Sequence, residues 1–216
     1  MNIILFGPPG AGKGTQGDHL AKTFDLFNIS TGDLLREEVK KKNQLSKKIS
    51  LIINEGKLVS DEIIKELIKN IISNKKFSNK LIFDGYPRNL NQAKTLDFLL
   101  TDLNQTISFA FNIKVDEDIV TKRILGRQTC SQCGLIFNKY FKPATQNNHN
   151  CDKSFLTTRS DDNETVIRQR FKIYTKQTLP ILDFYNKQNL LHEINGMGDF
   201  TMIFNEIRRI ITPLEA

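Results

Sequence analysis

The sequence predicts an α/β fold in which a parallel sheet is covered by helices on both faces. Three observations carry that expectation. Short apolar runs of strand length alternate with stretches of helical spacing along most of the chain, the pattern left by successive βαβ units. The first run stops at a glycine-rich loop, Gly7-Pro8-Pro9-Gly10-Ala11-Gly12-Lys13, that opens onto helix-compatible sequence. Of 216 residues, 39% are hydrophobic and 25% charged, with 12 Gly and 6 Pro, which excludes the disordered, collagenous and disulfide-scaffold classes. The length admits one domain with insertions or two small ones.

Asn2 to Phe6 is a β-branched and aromatic run closed by Gly7-Pro8-Pro9-Gly10, so it is read as a buried strand stopped by a turn. A helix follows from Lys13 to about Phe24. Leu34, Leu35 and Val39, then Leu45, Ile49, Ile52 and Ile53, recur at helical spacing and predict two short amphipathic helices between residues 31 and 53. Asp61 is the expected N-cap of another, whose stripe is Ile63, Ile64, Leu67, Ile68, Ile71 and Ile72. Leu81-Ile82-Phe83 is too short for a helix and ends at Asp84-Gly85, which predicts a second buried strand, followed by a helix from Leu90 to about Leu100. Ile107, Phe109, Phe111, Ile113 and Val115 alternate as in a strand, and a helix near 116 to 125 follows. From Gln128 to Asp162 the apolar stripes vanish and the chain becomes Asn-rich, as in a small inserted module. Helical spacing returns from Asn163 to about Asn186, with a kink expected at Pro180 because proline lacks a backbone donor. A last strand, Leu190 to Ile194, and a last helix, Phe200 to Ile211, complete the chain.

Lys plus Arg number 31 against 24 Asp plus Glu, a formal balance of +7, which points to an anionic partner: nucleic acid, a membrane surface or a phosphorylated small molecule. No apolar run approaches the roughly 18 residues of a membrane span, and the N-terminus lacks the basic region of a signal peptide. A cytoplasmic protein with no membrane partner is expected.

The segment from Gly7 to Lys13 has the phosphate-loop spacing G-x-x-x-x-G-K in the required place between strand and helix. Gly14 follows the lysine, and Thr15 comes one position later than in the strict form. The physics is still served: backbone N–H groups wrap an anion, the helix N-terminus adds its dipole, and Lys13 supplies a mobile cation. No guanine-reading Asn-Lys-x-Asp segment is present where Asn74-Lys75 and Asn79-Lys80 begin one.

Three further segments, Thr31-Gly32-Asp33 with Arg36, Asp84-Gly85-Tyr86-Pro87-Arg88, and Arg159 to Arg170, follow the phosphate loop in the order and spacing of the adenylate kinase family. The chain closely resembles the bacterial, long-lid members over essentially its whole length. The most specific match is the family signature Asp-Gly-[Phe/Tyr]-Pro-Arg. The resemblance implies a P-loop three-layer fold with a central five-stranded parallel sheet. Its core would be residues 1–29, 60–124 and 165–216, with a helical NMP-binding insertion at 30–59 and a small lid at 125–164. It also implies the reaction ATP + AMP ⇌ 2 ADP, serving adenine nucleotide balance, with magnesium carried on the triphosphate and a monomeric enzyme.

Phosphoryl transfer needs two nucleotides aligned and the charge on the moving group compensated, and guanidinium forks suit phosphate oxygens. The resemblance accordingly assigns Lys13, Arg88, Arg123, Arg127, Arg159 and Arg170 to the phosphates. Asp84, at the end of an apolar run, is the expected holder of magnesium or its water. Asp161 and Asp162 either orient Arg159 or start the long helix, where acidic groups favour the dipole. For ATP the resemblance assigns Gly10, Ala11, Gly12, Lys13, Gly14, Thr15, Arg127, Ile136, Phe137 and Gly198. For AMP it assigns Thr31, Arg36, Lys57, Leu58, Val59, Gly85, Tyr86, Pro87, Arg88, Gln92, Arg159 and Arg170. Gln92 both donates and accepts, which suits an adenine edge; Thr31-Gly32-Asp33 taken alone also reads as a helix-capping segment.

The three cysteines, Cys130, Cys133 and Cys151, lie in one stretch and cannot pair completely, so metal binding is the sharper reading. Cys130-x-x-Cys133-Gly134 resembles the zinc knuckle of zinc-type adenylate kinases. The fourth position falls on Ser154, a poor ligand, leaving His149 or Asp152 to replace it or a lid held without metal by Leu135, Phe137, Tyr140 and Phe141. Two other functions compete. One is a kinase for CMP, UMP or GMP with the same machinery. The other is a zinc-ribbon nucleic-acid binder using Lys40-Lys41-Lys42 and Lys47-Lys48, which lacks interleaved aromatic platforms; no nucleic-acid partner is expected.

Overall fold

The structure is a computed structural model that describes residues 1–212. Its centre is a five-stranded parallel sheet of β1 (Asn2–Phe6), β2 (Phe27–Ser30), β3 (Leu81–Asp84), β4 (Phe109–Lys114) and β8 (Leu191–Asn195), in the order β2-β3-β1-β4-β8. Side chains alternate across the sheet and divide the core in two. Ile4, Phe6, Leu81, Phe83 and Ala110 face one cluster, whereas Ile3, Leu5, Ile82, Phe109, Phe111 and Ile113 face the other. Strands buried on both faces read as continuous apolar runs, as β1, β3 and β4 do; the edge strand β8, in which Ile194 alone is buried, was also anticipated. The fifth, β2, was not anticipated: it is an edge strand of four residues in which Ile29 alone is buried.

Helices α1 (Lys13–Thr23) and α9 (Phe200–Ile211) pack together on the face of the second cluster, with Leu20, Ile203, Phe204, Ile207 and Ile211 in its core. On the other face lie α4 (Asp61–Ile72), α5 (Leu90–Asp102) and α8 (Leu179–Asn186), contributing Ile64, Ile68, Ile72, Leu96, Leu100, Ile181 and Tyr185. The two short helices between strands are α2 (Thr31–Lys40) and α3 (Gln44–Asn54). Asn43 and Ser46 begin α3 with a reciprocal capping box.

Ser60, and not Asp61, occupies the N-cap of α4. Asp61 is the first helical residue and turns its carboxylate to the Asn89, Asn91 and Gln92 amides, a stronger set of donors than its own helix end. Pro180 sits in the first turn of α8, where its missing N–H costs nothing. The long helix is broken before it: α7 (Glu164–Ile173) passes through a π-helical turn, Tyr174–Thr178, into α8. After α6 (Glu117–Leu125), the Asn-rich segment forms a separate three-stranded antiparallel sheet of β5 (Arg127–Cys130), β6 (Ile136–Asn138) and β7 (Leu156–Thr157).

Candidate active site

The register of the sheet decides what meets at its carboxyl edge. Leu5 and Ser30 both pair with Asp84, so the loop after β1, the start of α2 and the Asp84-Gly85 turn lie side by side. That edge is where ligands bind in open parallel sheets. A cleft of about 860 Å³ opens there, and every nucleotide-site residue inferred from the sequence, from Gly10 in the phosphate loop to Gly198 after the last strand, lines it.

Backbone conformation explains the glycines of the loop. Gly10 has φ +82°, and a Cβ there would stand 2.8 Å from Ile124 Cγ1, so both the left-handed backbone and the close approach exclude a side chain. Lys13 closes the loop on itself, donating from Nζ to the Gly7 and Pro8 carbonyls at 2.8 and 3.0 Å. Its ammonium is pushed down to about 8, first by burial and then by Arg88 and Arg127, against the pull of Asp84. Asp84 is held above the usual carboxylate range by burial, although Lys13 and Arg88 oppose this. Its carboxylate forms no ion pair within 4.0 Å among the described residues, and Oδ2 would lie 3.2 Å from a Cβ on Gly14. A buried carboxylate with no protein cation in contact, beside the loop's first helical turn, fits the oxygen ligand that magnesium prefers.

Thr31 does not cap its helix: Ser30 accepts from the Asp33 N–H as the cap, whereas the Thr31 hydroxyl donates to the carbonyl of Gly85 at 2.9 Å. Gly85 has φ +74°, and a Cβ there would crowd Thr31 Oγ1 and Arg88 Nη2 at 3.0 Å each. Arg88 is anchored by Nε to the Gly85 carbonyl at 2.7 Å, and Thr178 of the π-turn donates to the Arg88 carbonyl at 2.9 Å. Burial and the neighbouring Arg170 and Arg36 lower the guanidinium's affinity for its proton, with Asp84 opposing.

The two acids before α7 orient arginines, but not Arg159. Asp162 takes Arg127 in a bidentate pair, Nε at 2.9 Å and Nη2 at 2.5 Å, and is itself 2% exposed. Asp161 pairs with Arg170, which also reaches the Ile53 carbonyl at 3.4 Å. Asn163, the next residue, caps α7. Arg159 instead approaches Asp33 at 3.9 Å, while Asp33 holds Arg36 at 2.5 Å. Burial, Arg127 and Arg36 push Arg159 down to about 10. Lys13, Arg88, Arg127, Arg159, Arg170 and Arg36 thus form one cationic wall, in which burial and cationic neighbours lower Lys13, Arg88 and Arg159. Arg123 stands outside it, its guanidinium over the Phe141 ring at 5.8 Å. Phe137 reaches the cleft wall while its ring packs edge-on against His149.

Asp33, Thr178 and Phe141 are parts of the site that sequence reasoning did not assign, and Asp161 and Asp162 were given Arg159 as the arginine to orient where Arg170 and Arg127 are their partners. The spacing of Asp33 and Arg36 on one helix carried a readable signal. The others depend on contacts across the chain.

Cys130, Cys133, His149 and Cys151 bring one ligand atom each to within 4.8 Å of one another. A turn closed by the His149 and Asn148 N–H groups on the Thr145 carbonyl delivers the imidazole. Its Nε2 is buried with no hydrogen-bond partner. Ser154 is not among the four; it lies in the 3₁₀ turn Lys153–Phe155, whose cap Asp152 accepts from the Ser154 N–H. The position that the sequence left to Ser154, His149 or Asp152 falls to His149, whose imidazole stands with the three thiols.

The family model for adenylate kinase matches residues 5–190. The chain belongs to the adenylate kinase family. It is 45% identical to the adenylate kinase of Pelagibacter ubique over 98% of its own length and 99% of the relative's. It is 38% identical to that of Archaeoglobus fulgidus over the whole of both chains, and 39% to that of Thermosipho melanesiensis over 98% and 99%. Membership places the five-stranded sheet, the phosphate loop and the Asp84–Arg88 turn in the architecture of this family.

Proposed function

We infer that the cleft aligns ATP and AMP end to end and that the chain transfers the γ-phosphoryl group of one to the other, giving two ADP. The observation that carries this reading is the convergence at one sheet edge of a phosphate loop, five arginines and Lys13, in a cleft that Gln92 also lines. So much positive charge in a single cleft exceeds what one nucleotide needs. The loop and Lys13 take the donor's β- and γ-phosphates; Arg88, Arg127, Arg159 and Arg170 face the transferring group; and Thr31, Arg36, Lys57, Leu58, Val59 and Gln92 take the monophosphate. Arg123 and Phe141, stacked on the cleft wall, flank the donor base together with Ile136 and the Gly198 backbone. Asp84 would hold magnesium carried on the triphosphate, directly or through its water, and the ion would supply charge compensation. Residues 30–59 and 125–164 act as the covers that keep water from the moving group. A coupled assay with AMP, CMP, UMP and GMP tests the reading: AMP is the expected best acceptor, and a better rate with any other base overturns the assignment.

The Cys3His group has the softness and size of a structural zinc site. None of its four residues lines the cleft, so zinc there stabilises the small sheet and takes no part in the chemistry. Three unpaired thiols also suit a reducing, cytoplasmic compartment.

A further inference from the structure

Gln92 lies between two groups that leave its amide only one orientation. Its Oε1 accepts from the Arg88 backbone N–H at 2.8 Å, and its Nε2 donates to Asp61 Oδ1 at 2.6 Å. A backbone N–H cannot accept and an ionised carboxylate cannot donate; a flip of the amide would replace both bonds with repulsive contacts. Asp61 is fixed in turn by Asn89 Nδ2 at 3.0 Å and Asn91 Nδ2 at 3.1 Å. These three amide donors outweigh burial and hold its carboxyl below the usual range, so it stays an acceptor at neutral pH. Asn89 also caps α5 by accepting from the Gln92 N–H at 2.8 Å. The network therefore joins the first turns of α4 and α5 around one 3%-exposed side chain.

After these bonds Gln92 has one N–H and one oxygen lone pair left, in a cleft it lines. That pair matches adenine, whose N6 donates and whose N1 accepts. It opposes hypoxanthine and guanine, whose O6 accepts and whose N1–H donates. We propose that Asp61 is a positioning residue that sets acceptor-base specificity by locking the Gln92 amide in the orientation that reads adenine. The proposal rests on the reading that Gln92 faces the acceptor base. A site built around fixed polar groups rejects the mismatched base because those groups are left unpaired.

The test compares kcat/KM for AMP with that for IMP, which differs from AMP only in carrying a 6-oxo group and N1–H. In Asp61→Ala the Gln92 amide is held from one side alone. The AMP-to-IMP ratio is expected to fall about tenfold or more, the worth of one hydrogen bond, chiefly through a higher KM for AMP with KM for ATP unchanged. Asp61→Leu, which fills the space but offers no acceptor, is read in the same way if the alanine variant does not fold. Gln92→Ala is the reference. If it lowers the ratio and the Asp61 variants do not, the positioning role is wrong and Gln92 keeps its own. If Gln92→Ala leaves the ratio unchanged, Gln92 does not read the base and both ideas fall. An equal loss of kcat with both acceptors at constant ratio marks Asp61 as merely structural and overturns the proposal.

Discussion

Lys13 illustrates how much of a residue's chemistry is set by what surrounds it. A lysine after a glycine-rich loop announces phosphate binding, but its burial among Arg88 and Arg127 moves its proton affinity from 10.5 to about 8. The sign of the consequence follows directly. The charged form that grips a polyphosphate is half lost at about pH 8 and disappears above it, so kcat/KM for MgATP, which reports the free enzyme, should fall on the alkaline side with an apparent pKa of about 8. Lys13→Arg should move that limb upward, since guanidinium keeps its charge; a profile flat to pH 10 in the unsubstituted enzyme would refute the assignment. The nucleotide-free fold should meanwhile gain stability from about 8 towards 10.5, because only the unfolded chain holds the proton over that window. Asp161 and Asp162 make the same point differently. Adjacent in sequence, they serve Arg170 and Arg127, a division of labour that no local rule of helix starts contains.

At the scale of elements, the small antiparallel sheet is the piece least able to stand alone. Its strands are four, three and two residues long, and Leu135, Tyr140 and Phe141 are half exposed or more. Apolar burial there is too slight to order the segment, so the Cys3His group is its expected staple. Protein purified without added zinc should carry one zinc per chain. His149→Ala should lose it, speed proteolysis within residues 127–157 and lower Tm by about 5 °C, equivalent to ~2 kcal/mol in a chain of this size. Three readily titrated thiols and no metal in the unsubstituted protein would sink the idea. The break between α7 and α8 is another element-scale device. The helix absorbs Pro180 by widening into a π-turn, and the displaced Thr178 becomes the residue that holds the Arg88 carbonyl.

The whole molecule brings two chain segments far apart in sequence over one cleft. Arg159 meets Asp33 across it, Ser160 donates to Asn54 Oδ1 at 3.1 Å, and Arg170 reaches Ile53. These contacts tie residues 30–59 to the segment that precedes α7 and to the last turn of that helix. Arg159 is both cationic wall and bridge, and it is partly exposed, with its side chain at 22%. Arg159→Ala should therefore lower turnover by about 10²–10³ while shifting Tm by no more than about 2 °C, and should raise the share of ATP hydrolysed without AMP. Unchanged turnover in this variant would remove Arg159 from the chemistry.

The strand-by-strand alternation and the phosphate loop were written in local patterns, because burial on both faces of a sheet and wrapping of an anion each demand particular residue types at short spacing. Thus β1, β3, β4 and the helices that follow them were legible, whereas most of the cleft residues were reached through the family resemblance, and Asp33, Thr178 and Phe141, which also line it, were not. The edge strand β2 buries too little to leave a pattern, and Asp61 read as an ordinary helix cap. Partner choice was decided only by tertiary structure: His149 beside the three thiols, Asp162 on Arg127, Asp161 on Arg170, and the Asp61 carboxylate on Gln92. A side chain's hydrogen-bond and ion-pair partners depend on distances across the fold, and the sequence by itself determined which groups were available without determining which of them would meet.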